Sequence, residues 1–365
     1  MEGKQSEHIL ILRFSALGDI AIAGPLVRAY AEANPDIRFT MVSQSAMEPL
    51  FKGVENLNFF AVDLKGRHKG LRGLYRLSRE LKALLPSKVA DIHLVTRTMV
   101  LKLFMRFHPI RFHSLDKGRK ERSELTRTKN KILRQLPSMM SRYERVFNEM
   151  GLAVLNFAER DVDFQSGKSM VAEARGREMK QGGTINIGIA PFAKHKGKEW
   201  PLDHMEVVVA TLSEESRFTV YLFGGEGKEA TILQGWAQRY SGIVSVAGKY
   251  SFAKELDLIS ELDLMVCMDS ANMHFASYMR VPVLSIWGAT HPYMGFYGWG
   301  QKAEMALQDD SLDCRPCSVY GNKECHKGNR WCLHAITPQY VVDKIYEAVD
   351  GDLLNRQYEV KNFNK

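Results

Sequence analysis

The side chains best suited to chemistry in this 365-residue chain stand in short loops, each directly behind an aliphatic run. Behind ILILRF (9–14) the chain reads Arg13-Phe14-Ser15-Ala16-Leu17-Gly18-Asp19, then a helical pattern from Ile20 with Pro25 in its first turns. Asp19 is either the cap of that helix, a place Asp fills well, or a carboxylate able to take a proton from an acceptor hydroxyl. The loop holds one glycine and no G-x-G-x-x-G, which counts against a dinucleotide-binding dehydrogenase.

Three further loops fall in the second half. INIGIAP (185–191) leads to Lys194, Lys196 and Lys198, then to Trp200-Pro201-Leu202-Asp203, where Asp203 marks a helix start. Lysines after a strand are either solvated or, facing a cleft, able to neutralise a diphosphate leaving group. FTVYLF (218–223) leads to Gly224-Gly225-Glu226-Gly227, a turn that admits close backbone approach. Its carboxylate, Glu226, could accept both hydroxyls of a ribose. LMVCM (264–268) leads to Asp269-Ser270-Ala271-Asn272-Met273-His274. Asp269 and Ser270 suit the cap of a helix running through Met279, whose first-turn N–H groups and dipole form an anion site fit for phosphate. His274 lies one turn further on the face of Ser270, as a structural histidine or a ligand contact.

Loops of this kind need strands to hold them. Besides the runs above, IRFTMV (37–42), FFAVD (59–63), VADIHLV (89–95), IVSVAG (243–248) and PVLSIW (282–287) alternate with longer helical patterns. That alternation predicts parallel sheets covered by helices. The expected architecture is α/β: two doubly wound domains facing a central cleft, with ligands beyond the carboxyl ends of strands. The length suits two domains. They are expected at 1–165 and 185–350, joined by a polar, glycine-containing linker (166–184) and followed by a polar tail (351–365).

Composition is that of an ordinary globular protein, with 45% hydrophobic and 25% charged residues. The polar start MEGKQSEH lacks a signal-peptide pattern, and no apolar run is long enough to span a bilayer. A cytoplasmic location is expected, with any membrane contact peripheral. The net charge of +8 is concentrated in the first half. Lys65 to Lys82 holds seven Lys/Arg against Glu80, and Lys117 to Arg134 eight against Glu121 and Glu124. Leu74, Leu77, Leu81 and Leu84 recur at helical spacing beside a basic stripe of Lys69, Arg72, Arg76 and Arg79, predicting an amphipathic helix. Such clusters are either solvated faces or attractors of polyanions, anionic membrane or a phosphorylated substrate. Of the five cysteines, Cys267 lies within a strand and reads as core. Cys314, Cys317, Cys325 and Cys332 follow C-x2-C-x7-C-x6-C. They are expected to be reduced packing residues, with a structural zinc as the alternative, since the spacing supplies one zinc knuckle rather than two.

Taken in order, these motifs resemble glycosyltransferase family nine, the ADP-heptose:lipopolysaccharide heptosyltransferases, over nearly the whole chain. R-x-S-x-x-G-D is Arg13 to Asp19, and a strand-end D-L-H-x-x-x-R-S pattern appears as Asp91-Ile92-His93 with Arg97-Thr98. A basic D-K-G-R-K-E segment is Asp116 to Glu121, K-x-W-P is Lys198 to Pro201, and D-[ST]-G-x-x-H is Asp269 to His274. Ala271 and Leu94 stand where the family usually has glycine.

The resemblance implies a GT-B fold and inverting transfer without a metal or other cofactor. It implies Asp19 as general base, Lys198 on the donor phosphates, Glu226 on the ribose, and Asp269, Ser270, Ala271, Asn272 and His274 around the diphosphate. The expected function is heptose transfer from ADP-L-glycero-D-manno-heptose to the lipopolysaccharide inner core. Lys69, Arg72, Arg76 and Arg97 are expected on a phosphorylated glycolipid acceptor at the cytoplasmic face of the inner membrane, with no nucleic-acid partner. The alternatives are another nucleotide sugar or acceptor, or a non-catalytic polyanion-binding protein.

Overall fold

In the N-terminal half, uninterrupted aliphatic runs form strands because both faces of a parallel sheet are covered. β1 (His8–Leu12) is buried at every residue, as is β2 (Arg38–Ser43) after its first. The structure, a computed structural model, describes residues 7–159 and 184–351. With β3 (Leu57–Ala61), β4 (Lys88–Asp91) and β5 (Arg111–Ser114), these strands form a five-stranded sheet in the order β3-β2-β1-β4-β5. Every pairing is parallel. The helices are α1 (Leu17–Glu32), α2 (Gly70–Ala83), α3 (Thr96–Met105), α4 (Arg119–Leu125) and α5 (Met139–Glu149). On α2, Leu74, Leu77 and Leu81 are buried against Leu10, Leu12, Val89, Leu101 and Met105, as the predicted apolar stripe requires. Lys69 is the residue before that helix.

The second sheet has six parallel strands in the order β11-β10-β9-β6-β7-β8. They are β6 (Ile185–Ala190), β7 (Phe218–Leu222), β8 (Ile243–Ser245), β9 (Leu264–Met268), β10 (Val283–Ile286) and β11 (Ala306–Leu307). Helices α6 (Leu202–Ser213), α7 (Lys228–Arg239), α8 (Phe252–Ile259), α9 (Ala271–Tyr278), α10 (Trp331–His334) and α11 (Pro338–Val349) complete it. Trp200, Trp236, Val208 and Ile345 belong to its core.

Each sheet reverses its strand order once, between β1 and β4 in the first and between β6 and β9 in the second. Ligands of open α/β sheets bind beyond the carboxyl ends of the strands at such reversals. The motif loops containing Asp19, His93, Lys198 and Asp269 follow β1, β4, β6 and β9.

Three expectations need adjustment. β5 and β11 are additional strands, the second only two residues long. Residues 119–136, expected in the first domain, pack with the second. There Leu125 and Leu136 cluster with Met294, and Lys131 Nζ donates to the carbonyls of Asp313 (2.9 Å), Arg315 (2.9 Å) and Pro316 (3.1 Å). Asp203 stands in the first turn of α6, with Pro201 at the cap. The expected linker, except Thr184, and the tail beyond Gly351 lie outside the described residues. Among the described residues no helix is long and apolar enough to cross a membrane.

Candidate functional site

In the N-terminal unit the site is built on Arg13, the residue after β1. It is buried, and its backbone N–H continues the strand pairing to Val42 O at 3.2 Å. Its guanidinium donates to Ile92 O at 2.6 Å, lies 5.6 Å from the centre of the Tyr143 ring, and meets Asp19 Oδ2 at 2.5 Å. Ala16, not Asp19, is the cap of α1, and Asp19 sits in the first turn. The capping alternative therefore falls, although a carboxylate there still complements the helix dipole. A buried guanidinium thus fixes a carboxylate whose side chain remains 22% exposed.

The loop after β4 braces this arrangement. Asp91 Oδ1 accepts from the N–H groups of His93 (3.1 Å) and Leu94 (2.8 Å), folding the loop on itself. Phe14 N–H donates to His93 Nδ1 at 3.3 Å, so Nδ1 is the unprotonated nitrogen and Nε2–H faces Ser15 Oγ at 3.4 Å. Burial, then the charges of Arg13, Lys117 and Arg97, pull His93 down to about 3. The imidazole is neutral at pH 7 and acts as a spacer between the two loops. Leu94 takes the left-handed conformation, φ 46°, which a glycine would adopt without steric cost.

In the C-terminal unit the elements carry the opposite charge pattern. Lys198 ends a single 3-10 turn (Lys196–Lys198), and its Nζ lies 2.7 Å from Asp269 Oδ2. Asp269 is 5% exposed and also accepts from Thr290 Oγ1 at 2.8 Å. Gly321 explains how the lysine is held: a Cβ there would come within 2.6 Å of Lys198 Cγ, and φ is +72°. Gly197 is equally constrained, with Gly321 O 2.7 Å from where its Cβ would be. Thr290 is positioned by buried Arg315, which donates to the carbonyls of Gly288 (2.6 Å) and Thr290 (3.0 Å).

Ser270 is the cap of α9 but makes no side-chain cap hydrogen bond, and its buried Oγ has no partner among the described residues. A hydroxyl and first-turn N–H groups at a helix start, next to an ammonium, form a site for a phosphate oxygen.

The expected site residues fall as follows. Asp269, expected at the diphosphate, has its carboxylate on Lys198 and Thr290, an arrangement that fixes the direction of the ammonium. Of the three lysines after β6, Lys198 alone pairs with Asp269, whereas Lys194 is exposed and Lys196 is bonded to Glu199. Ala271 opens α9 in helical conformation, Asn272 is half-buried, and His274 is buried one turn in. Glu226 is exposed on the turn after β7, which Glu229 closes by accepting from Gly225 N–H at 2.7 Å. Arg72 and Arg76 are exposed on α2, Lys69 precedes it, and Arg97 is exposed in the first turn of α3. Arg13, Thr290 and Arg315 were not singled out as site residues from the sequence. Arg13 could have been, since it stands in the same short motif as Asp19.

The cysteines form no disulfide. Cys314, Cys317, Cys325 and Cys332 line a cavity with Arg315, His326 and Trp331. Burial pushes the Cys332 thiol up to about 11 and also raises Cys317. Burial would raise Cys325 too, but the N–H groups of Arg330, Lys327, Gly328 and Asn329 outweigh it and lower its pKa. Among the described residues no group of three or more His, Cys, Asp or Glu is arranged to hold a metal ion.

Residues 89–327 match the family model of glycosyltransferase family 9 (heptosyltransferase). A search of curated proteins finds no match. Among solved structures, the chain is similar to a family 9 glycosyl transferase from Veillonella parvula, at 18% identity and a TM-score of 0.68 over 94% of this chain and 97% of that one. It is also similar to the E. coli heptosyltransferase WaaC with ADP, at 17% identity and 0.67 over 93% and 99%. The E. coli ADP-heptose lps heptosyltransferase II aligns at 17% identity and 0.62 over 95% and 99%. At these identities the structures establish a shared fold.

Proposed function

The chain belongs to glycosyltransferase family 9 and has its GT-B fold, and from this premise we propose that it transfers heptose from an ADP-heptose donor to the inner core of lipopolysaccharide, with inversion and without a metal. The observation that carries the reading is Lys198, held at the start of α9 by Asp269, which Thr290 fixes in turn, with the Ser270 hydroxyl at that helix start unpartnered among the described residues.

In the proposed reaction the acceptor hydroxyl oxygen bonds to the anomeric carbon as its proton passes to Asp19. The bond from that carbon to the diphosphate breaks, and the nucleoside diphosphate leaves with the electron pair. Lys198 and the N–H groups of α9 meet the negative charge that develops on it, as preorganised donors do in general. Attack opposite the departing group inverts the anomeric centre. Arg13 keeps Asp19 at its station, and Glu226 is assigned to the ribose hydroxyls.

The reading places the chain in the cytoplasm, at the inner face of the membrane where a glycolipid acceptor is anchored. Arg97, beside the His93 loop, and Lys69, Arg72 and Arg76 on α2 are assigned to acceptor phosphates. Two structures support the donor assignment by likeness of fold, one solved with ADP and the other described as an ADP-heptose enzyme.

The test is a donor panel with purified protein and a truncated core acceptor, scored by release of ADP, UDP or GDP. ADP release from ADP-heptose, dependent on acceptor, is expected. Consumption of only a UDP-sugar or GDP-sugar would overturn the heptose assignment and leave the family intact.

A further inference from the structure

Large apolar side chains left in water are common singly and informative in groups. On α2, Leu71 and Tyr75 are exposed one turn apart, at 67% and 53%. On α3, Met99 and Leu103 repeat that spacing, and Phe107, just beyond the helix, is 82% exposed. The Tyr75 ring meets Phe104 of α3 edge-on, centroids 5.6 Å apart, so the two helices join at this face. Their inner sides are occupied by Leu74, Leu77, Leu81, Leu101 and Met105 in the core. Leu71, Met99, Leu103 and Phe107 are left on the outside of that core.

The charge around them has one sign. Arg72, Arg76 and Arg79 are exposed on α2, Lys102 on α3 and Arg106 at its C-terminal cap, with Arg106 stacked 4.4 Å from the centre of the Phe107 ring. Between Gly70 and Phe107 the acids are Glu80 and Asp91. Glu80 is already bonded to Arg67 and His68, and Asp91 is buried. Long cationic side chains interleaved with aromatic and aliphatic ones fit an interface that is anionic outside and apolar beneath.

We infer that the joint outer face of α2 and α3 is a membrane-docking surface, on which Leu71, Tyr75, Met99, Leu103 and Phe107 enter the headgroup region of an anionic phospholipid bilayer while Arg79, Lys102 and Arg106 neutralise its phosphates. This locates the membrane contact of the proposed function and rests on that reading for the glycolipid acceptor, but lipid binding itself is measurable without any turnover.

The full-length protein is sedimented with vesicles of phosphatidylethanolamine and phosphatidylglycerol, and with vesicles of phosphatidylcholine alone. Binding to the anionic vesicles only is expected, weakening as salt is raised. Arg106→Gln should weaken it about fivefold, the effect of one cation near such a surface. The Leu71→Ser/Leu103→Ser/Phe107→Ser variant should weaken it by about tenfold or more, while keeping its thermal unfolding midpoint and its turnover of a soluble acceptor. Equal binding to both vesicle types would overturn the inference, as would wild-type binding by the triple variant. So would a triple variant whose only change is loss of self-association in analytical ultracentrifugation, which would make the face a contact between copies. Normal vesicle binding without any ADP release would sink the ADP-heptose assignment and leave the docking surface standing.

Discussion

The two units solve one geometric problem with opposite charges. In the N-terminal unit a buried cation, Arg13, holds a more exposed anion, Asp19. In the C-terminal unit a buried anion, Asp269, holds a more exposed cation, Lys198. Both pairs stand beyond strands that flank the reversal of strand order, β1 in the first sheet and β6 and β9 in the second. A buried partner costs desolvation but fixes geometry. Under the proposed function, what each unit presents follows from which member is left outward: a proton acceptor in one and a stabiliser of leaving-group charge in the other. This division suits a transfer in which one substrate loses a proton and the other releases a diphosphate.

The contrast breaks most sharply if either outward member is dispensable. Asp19→Asn should lower kcat by about 10²–10⁴-fold, the usual contribution of a general base, with donor affinity little changed. Lys198→Ala should lower kcat by about 10²–10³-fold, in steady-state assays at saturating donor. Thr290→Val sharpens the comparison by removing the hydroxyl that orients Asp269 while leaving both members of the pair. A loss of roughly tenfold in kcat is expected, in line with one hydrogen bond to a charged group. If Thr290→Val and Lys198→Ala were equally damaging, Asp269 and Thr290 would have to do more than orient the lysine.

Much of this arrangement is legible in the sequence, for reasons that differ by level. Strands such as INIGIA and LMVCM announce themselves because a strand covered on both faces must be apolar throughout. β5 and β11 do not, since RFHS lies half-exposed near one sheet edge and AL is too short to carry a pattern. Asp19, Lys198 and Ser270 are recognisable by type and by position after a strand. The orientation of Asp269 is not, because it depends on Thr290, which stands 21 residues later in the chain, and on Arg315 beyond it. The attachment of residues 119–136 to the second unit is equally hidden. It rests on contacts such as Lys131 with the carbonyls of Asp313 and Arg315, which no local pattern specifies.

Smaller effects separate the units further. His93 binds its proton only near pH 3 in the folded chain, against about 6.5 when unfolded. Between those values the unfolded state holds more protons, so this residue's contribution to stability is fully present at pH 7 and is lost as pH falls from about 6.5 toward 3. Denaturant midpoints measured at pH 5 and pH 7 should differ, and His93→Gln should reduce the difference. An unchanged difference would assign the acid sensitivity elsewhere, for example to His291, which is held down to about 4 by burial and by Arg315 and Lys131. Smallest of all, Leu94→Gly should relieve the left-handed backbone and raise stability by up to about 1 kcal/mol. A loss of more than that in equilibrium unfolding would mean the Leu94 side chain packs more firmly than its conformation suggests.

The most direct test of the account is a paired measurement on Asp19→Asn: ADP binding by calorimetry and ADP release from ADP-heptose with acceptor present. The division of labour between the units predicts near-wild-type ADP affinity with turnover reduced at least a hundredfold. Turnover within a few-fold of wild type would contradict it.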